Sequence, residues 1–226
     1  MDLAKQHLDI GLYTNRREEQ LAFWQGEVGL EFDHVGKLGG GIHQLRHHMN
    51  GSILKINHAR DPLPNLDPSG YRRLLVARPG LDAVRNLKDP DGNSVDLVPP
   101  GHHGIVGIGI EIAVSDLAAA KAFWGGAMQF KAGDGDTVVA GDTVLNLRLN
   151  VDVKSTPDDK AAIGYRYTTV QIYKCDMEHA GILARGGREG DPPRTIGTTT
   201  RYSFVRDPDG NWIEVSQRAQ LTGSLD

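Results

Sequence analysis

Apolar and polar residues alternate along two seven-residue stretches, 8–14 and 108–114. Leu8, Ile10 and Leu12 point one way and Asp9, Gly11 and Tyr13 the other, and Ile108, Ile110 and Ile112 repeat the pattern against Gly109 and Glu111. A period of two is the signature of a half-buried strand. Each stretch runs into a predicted helix, 17–28 and 117–128, the second with Ser115 or Asp116 as N-cap before a run of strong helix formers. Strands 42–49 and 53–58 flank Asn50-Gly51, the strongest two-residue hairpin signal, and strands 137–140 and 143–149 flank Gly141-Asp142. A further strand opens at 71–76 and again at 167–174. The second is followed by a helix over 176–185. After the first, Pro79-Gly80 leaves room only for a very short helix. Strands 94–98 and 212–216 close the two halves.

The halves are repeats. Ala22-Phe23-Trp24 returns as Ala122-Phe123-Trp124, and the turn Asp89-Pro90-Asp91-Gly92-Asn93 returns as Asp207-Pro208-Asp209-Gly210-Asn211. Pro99-Pro100-Gly101 marks the boundary between a domain over 1–99 and one over 104–220. Each half then reads as two βαβββ modules. The fold class is α+β: four modules forming two tandem cup-shaped mixed sheets, each cup made within one half.

These motifs resemble the vicinal oxygen chelate superfamily, the fold of glyoxalase I, bleomycin-resistance proteins and extradiol dioxygenases. The resemblance rests on Ile110 to Leu117 running into Lys121-Ala122-Phe123-Trp124, and on the two Asp-Pro-Asp-Gly-Asn turns, each followed by a strand with an acid, Asp96 or Glu214. It implies a small-molecule cup and, in many members, a divalent metal held by His, Gln or Glu from four strands. Carried onto this chain, those positions fall on Asp9 and Gly109, Lys55 and Asn146, Tyr71 and Thr169, and Asp96 and Glu214. No complete donor set emerges. Glu214, Asp96 and Asp9 are the donors if Fe, Mn, Zn or Ni is bound, and Lys55 opposes a cation beside them.

The nine histidines do not supply the missing ligands at these positions. In the Asn50-Gly51 hairpin, Met49 pairs with Ser52, His47 with Leu54, Leu45 with Ile56 and His43 with His58. One face is apolar at its centre and packs on a helix. The other, with Gln44, Arg46, His48, Ile53, Lys55 and Asn57, is too polar for a core and lines the cup. His43 and His58 are either strand-end residues or a metal or partner contact.

The expected first-half cup therefore holds Asp9, Tyr13, Gln44, Arg46, His48, Lys55, Asn57, Tyr71, Arg73 and Asp96. The second-half cup holds Glu111, Asn146, Arg148, Thr169, Gln171, Tyr173 and Glu214. Arg46 and Arg73 are candidates to clamp a carboxylate, and Lys55, His48 and Glu214 are the acid/base candidates. The alternative for the charged groups is an internal salt-bridge lattice. The expected function is an enzyme of lyase, isomerase or dioxygenase type acting on a small oxygenated, anionic or aromatic substrate. The alternative is a metal-free binding or sequestering protein of the bleomycin-resistance type.

Composition narrows this further. The 226 residues carry 25 basic and 29 acidic side chains, a net charge of −4, which argues against a nucleic-acid partner. One cysteine excludes an intramolecular disulfide. No apolar run suits a membrane span or a signal peptide, so a cytoplasmic protein is expected, as a monomer or homodimer.

Overall fold

The computed structural model describes residues 1–225. The first module holds β1 (Asp9–Thr14), helix α1 (Arg17–Leu21), β2 (Glu31–Gly39), β3 (Ile42–Met49) and β4 (Ser52–Ala59). The second holds β5 (Tyr71–Ala77), β6 (Arg85–Lys88) and β7 (Ser94–Val98). The third holds β8 (Ile108–Val114), α2 (Leu117–Lys121), β9 (Lys131–Ala132), β10 (Thr137–Ala140) and β11 (Thr143–Leu149). The fourth holds β12 (Gly164–Gln171), α3 (Cys175–Ala184), β13 (Arg188–Ile196), β14 (Thr200–Arg206) and β15 (Trp212–Arg218), followed by the short α4 (Ala219–Thr222).

The strands form two mixed sheets, as expected for paired modules, but the partners differ from the expectation. One sheet runs β13-β14-β15-β12-β1-β4-β3-β2, joining the first module to the fourth. The other runs β6-β7-β5-β8-β11-β10-β9, joining the second to the third. The expected first-half cup therefore does not form. Strand β1 pairs with β12 through Asp9 opposite Thr169, whereas β5 pairs with β8 through Arg73 opposite Glu111. Periodicity fixes which residues share a face and is silent on which module lies alongside.

The second module also departs from the βαβββ pattern. Residues 78–84 form turns and no helix, so the very short helix expected there is absent. Pro79 and Gly80, with φ +83° at the glycine, break the backbone at once. Strands β2 and β13 lie at opposite edges of the first sheet. Their faces are almost wholly exposed, and β13 carries Pro192-Pro193 between register shifts, which hid both from a hydrophobic pattern.

The Asn50-Gly51 hairpin has the expected register, including His43 opposite His58, with both turn residues at positive φ (50° and 86°). Asp116 caps α2 by accepting from the Ala118 and Ala119 amides at 2.7 and 3.0 Å. Ser115 instead donates to Asp209 in the last turn. Both Ala-Phe-Trp motifs sit where the helix widens into π-helical segments, Ala22–Glu27 and Ala122–Ala127. The wider turn carries two neighbouring aromatics into the core together, Phe23 on Trp24 and Phe123 on Trp124, edge to face. That core is continuous across the two sheets and the helices, with Ile10, Leu54, Ile56, Val170 and Ile213 from one sheet and Leu74, Ile110 and Leu145 from the other.

Candidate active site

Alternation puts a single polar face on the strands at the middle of the first sheet. Asp9 lies opposite Thr169, Thr169 beside Glu214, and Lys55 opposite Arg46. Four of the strand positions singled out in the sequence therefore meet here: Asp9, Lys55, Thr169 and Glu214. Lys55 Nζ donates to Glu214 Oε2 and to Thr169 Oγ1, each at 2.7 Å, and Thr169 donates to the same Glu214 oxygen at 2.8 Å. Asp9 accepts from Lys5 at 2.7 Å, from the Ile53 amide at 2.8 Å and from Gln171 at 3.3 Å.

Burial sharpens these charges. Lys55 is 1% exposed and Thr169 is fully buried, while the Glu214 side chain keeps 13% of its surface open. Burial pushes the Lys55 ammonium down from its ordinary pKa, against the pull of Glu214 and Asp9. Burial alone would raise the Glu214 carboxyl. The facing Lys55 and Thr169 reverse that and hold it below the usual carboxylate range. Asp9 is lowered in the same way, with Lys55, Lys5 and the Ile53 amide outweighing its desolvation.

Beside this centre a polar network and an aromatic cluster meet at Tyr167. Gln44 takes a hydrogen bond from Arg46 at 2.9 Å and donates to Asn57 at 3.0 Å. Asn57 donates to the Tyr167 hydroxyl at 3.1 Å. Tyr13, Tyr167, Phe204 and Trp212 form one aromatic cluster. Tyr167 lies so close over Gly11 that a Cβ there would stand 2.2 Å from the ring. Lys160, from the segment after β11, lies 4.5 Å over Phe204 and 4.7 Å over Trp212 and covers this cluster.

The donor set does not fit a divalent metal. Of these four positions only two are carboxylates, and an ammonium is bonded to one of them. Among the described residues no group of three or more His, Cys, Asp or Glu side chains converges as a metal site.

Several expected residues lie elsewhere. Arg73, Asp96, Asn146 and Arg148 belong to the second sheet. There Arg73 pairs with Asp96 at 2.7 Å, and Arg148 approaches Glu111 at 3.5 Å. Tyr71 is buried between the sheets, its hydroxyl donating to the Trp212 carbonyl at 3.0 Å. The register puts Leu75, opposite Gly109 and beside Asp96, at the place equivalent to Thr169. The expectation for Tyr71 was thus four residues out along an apolar strand with no internal marker. Tyr173 lies just past β12 and is exposed. His48 is exposed too, its Nε2 3.9 Å from Asp33. Arg218, which the sequence reading missed, closes β15 on the same face as Glu214 and Ser216. Two-residue spacing from Glu214 was the available signal.

Residues 106–215 match the Glyoxalase/Bleomycin resistance protein/Dioxygenase superfamily. This stretch, just under half of the chain, carries a domain of that superfamily. The fold agrees over the whole length. Glyoxalase I from Zea mays superposes with a TM-score of 0.72 at 13% identity, covering 93% of this chain and 92% of that one. A variant of the same maize enzyme gives 0.77 at 13% identity, covering 99% and 97%. A putative dioxygenase from Bacillus subtilis gives 0.66 at 15% identity, covering 96% and 86%. At these identities the likeness is one of fold. No curated protein matches the sequence. At the centre of the first sheet this chain carries the buried Lys55–Glu214 pair.

Proposed function

We propose that this chain is an enzyme that moves a proton on a small oxygenated substrate in the first cup, with no metal at the reacting centre. The observation that carries the reading is the Lys55–Glu214–Thr169 triangle, all three contacts within 2.8 Å, at the centre of the first sheet. Glu214 is held ionised and keeps a face open, as a general base requires. An ammonium has three donors, and Lys55 uses two of them within the triangle. The third is available to an oxygen that gains negative charge. In the step proposed, the substrate is a 2-hydroxy carbonyl compound and Glu214 takes the proton from its hydroxyl-bearing carbon. Lys55 stabilises the resulting enediolate oxygen, the hydroxyl proton passes to the former carbonyl oxygen, and Glu214 returns its proton to the former carbonyl carbon, so that the substrate is isomerised with no oxidant or reductant. Glyoxalase I and putative dioxygenases among the structural relatives support an enzyme in this fold.

The test is proton exchange in D2O, followed by NMR, across a panel of small oxo and hydroxy acids and aldehydes. The purified chain exchanges a carbon-bound proton of at least one compound, unchanged by a chelator. Glu214→Gln lowers that rate by about 10²–10⁴-fold. Full exchange in Glu214→Gln, or loss with a chelator and recovery on adding metal, overturns the reading.

A second reading is a binding protein that holds a ligand without chemistry. The observation favouring it is the open cavity of about 620 Å³ in the second sheet, lined by Asn146, Arg148 and Thr137 among others. A ligand recovered unchanged and retained by the Glu214→Gln variant identifies this outcome.

A further inference from the structure

The first cup pairs most of its charges internally and leaves two arginines over. Lys5 pairs with Asp9 and Lys55 with Glu214. Arg46 Nε has only Asp33, at 3.7 Å, beyond hydrogen-bond reach, and Arg218 forms no ion pair among the described residues. Both Nε atoms are buried and without a hydrogen-bond partner. The two side chains stand on opposite flanks of the curled sheet, on β3 and β15, with β12, β1 and β4 between them. They are close enough that Arg218 depresses the Arg46 guanidinium, on top of the larger effect of burial. Like charges within reach of each other, with unsatisfied buried donors, are costly unless an anion neutralises them.

A second observation points the same way. Gln171 Oε1 and Ser216 Oγ are also buried without partners. They belong to residues paired side by side on β12 and β15, on the face that carries Thr169 and Glu214. Two guanidinium nitrogens, a hydroxyl and an amide oxygen on the polar face of the first sheet are therefore unsatisfied. The amide oxygen calls for a ligand donor as well as a charge.

We propose that the first cup recognises its substrate by a carboxylate clamped between Arg46 and Arg218, with a neighbouring oxygen of the substrate held at Gln171 and Ser216. The ligand class is a small carboxylate monoanion bearing a second oxygen, as in 2-hydroxy and 2-oxo acids. Arg218 takes the clamping role that the sequence suggested for Arg73, which the fold places on the other sheet. The proposal rests on the reading of the first cup as the substrate site. It adds the sign of the substrate's charge and the residues that select it.

Calorimetric titration with glycolate and pyruvate tests it, with glycolamide as the neutral control and inorganic phosphate as the competing anion. Glycolate or pyruvate binds the wild-type chain saturably, and glycolamide does not. Arg218→Gln and Arg46→Gln each weaken binding by about tenfold or more, and Arg218→Lys retains part of it. Arg218 is partly exposed at a strand end, so its variants are expected to fold, and circular dichroism checks this. Absence of saturable binding to the wild type, equal binding by glycolamide, undiminished binding to Arg218→Gln, or tighter binding of phosphate overturns the clamp. Glu214→Gln separates the two claims. It removes exchange and keeps carboxylate binding if both hold. Exchange lost in Glu214→Gln without any effect of Arg218→Gln removes the clamp alone. Carboxylate binding without exchange in the wild type removes the catalytic reading alone.

Discussion

The two sheets are built from the same kinds of module and treat the same positions in opposite ways. In the first, the position on the fourth strand of the module is Lys55, 1% exposed and bonded to two partners. In the second it is Asn146, which lines an open cavity. Of the charged residues of the second sheet, Asp96 is buried against Arg73, while Arg73, Glu111 and Arg148 reach solvent, with Arg148 63% exposed. Water screens such charges, and pairs of this kind contribute little. The lesson is that charge alone does not make a reactive centre. The sheet with the buried Lys55–Glu214 pair holds an acid and a base whose pKa values burial and pairing shift, and the sheet with the open cavity carries most of its charge in solvent.

The largest effect that breaks this comparison is on stability. Lys55→Met leaves Glu214 as a buried carboxylate without its cation, while Asp9 keeps Lys5, a loss of about 3–5 kcal/mol. Asn146→Ala, at the matching place in the second sheet, changes stability by less than about 1 kcal/mol. Urea unfolding of both variants measures the difference. Lys55→Met with Glu214→Leu recovers part of the loss, because the stranded charge goes too. Equal losses for Lys55→Met and Asn146→Ala would mean that the first cup is as wet as the second.

A finer comparison lies behind the two cups, where the helices meet the Asp-Pro-Asp-Gly-Asn turns. In the first repeat Gln20 accepts from Trp24 Nε1 at 2.7 Å and donates to Asp89 and Asp91 at 3.1 and 2.9 Å. In the second repeat the equivalent residue is Ala120, and Trp124 Nε1 is buried with no acceptor. Gln20→Ala makes the first repeat resemble the second and costs about 1–3 kcal/mol, because it leaves a buried N–H and a carboxylate short of partners. A loss well below that range would show that water reaches Trp24.

Strand order and partnership were legible in the sequence to different degrees. The alternation of Leu8 to Tyr13, the register about Asn50-Gly51 and the repeated turns depend on neighbours in the chain, and periodicity captures them. That Lys55 meets Glu214, 159 residues away, depends on which modules pair, and no local pattern encodes that. Of the site, Asp9, Lys55, Thr169 and Glu214 were each named at their family positions, but were assigned to different cups. Tyr71 and Arg73 were placed in the wrong cup for the same reason. Arg218 escaped because it falls at the strand's end, where a basic residue reads as solvated.

The turns also separate in their response to pH. Asp207 is fully buried, and desolvation raises its carboxyl to about 7, although it accepts from the Asn211 amide and side chain, each at 2.8 Å. Asp89 is raised by burial too, but there Gln20 adds a donor to those of Asn93. An ordinary aspartate near 3.8, as in the unfolded chain, has lost its proton over the window from about 4 to 7 while folded Asp207 keeps it. The folded state then binds more protons, so stability falls as pH rises through this window, by at most about 1.4 kcal/mol per pH unit. Asp9 and Glu214 act with the opposite sign and in a different range. Their folded pKa values are lowered, so their contribution is present above the ordinary carboxylate range and is lost only as pH falls through the lowered values. The two effects are therefore separable in one series of urea unfolding curves from pH 4 to 8. Asp207→Asn flattens the slope between about 4 and 7, with a constant offset because an amide donor then faces the Asn211 side chain. A slope that survives in Asp207→Asn would place the proton elsewhere, with Asp89 the next group to replace.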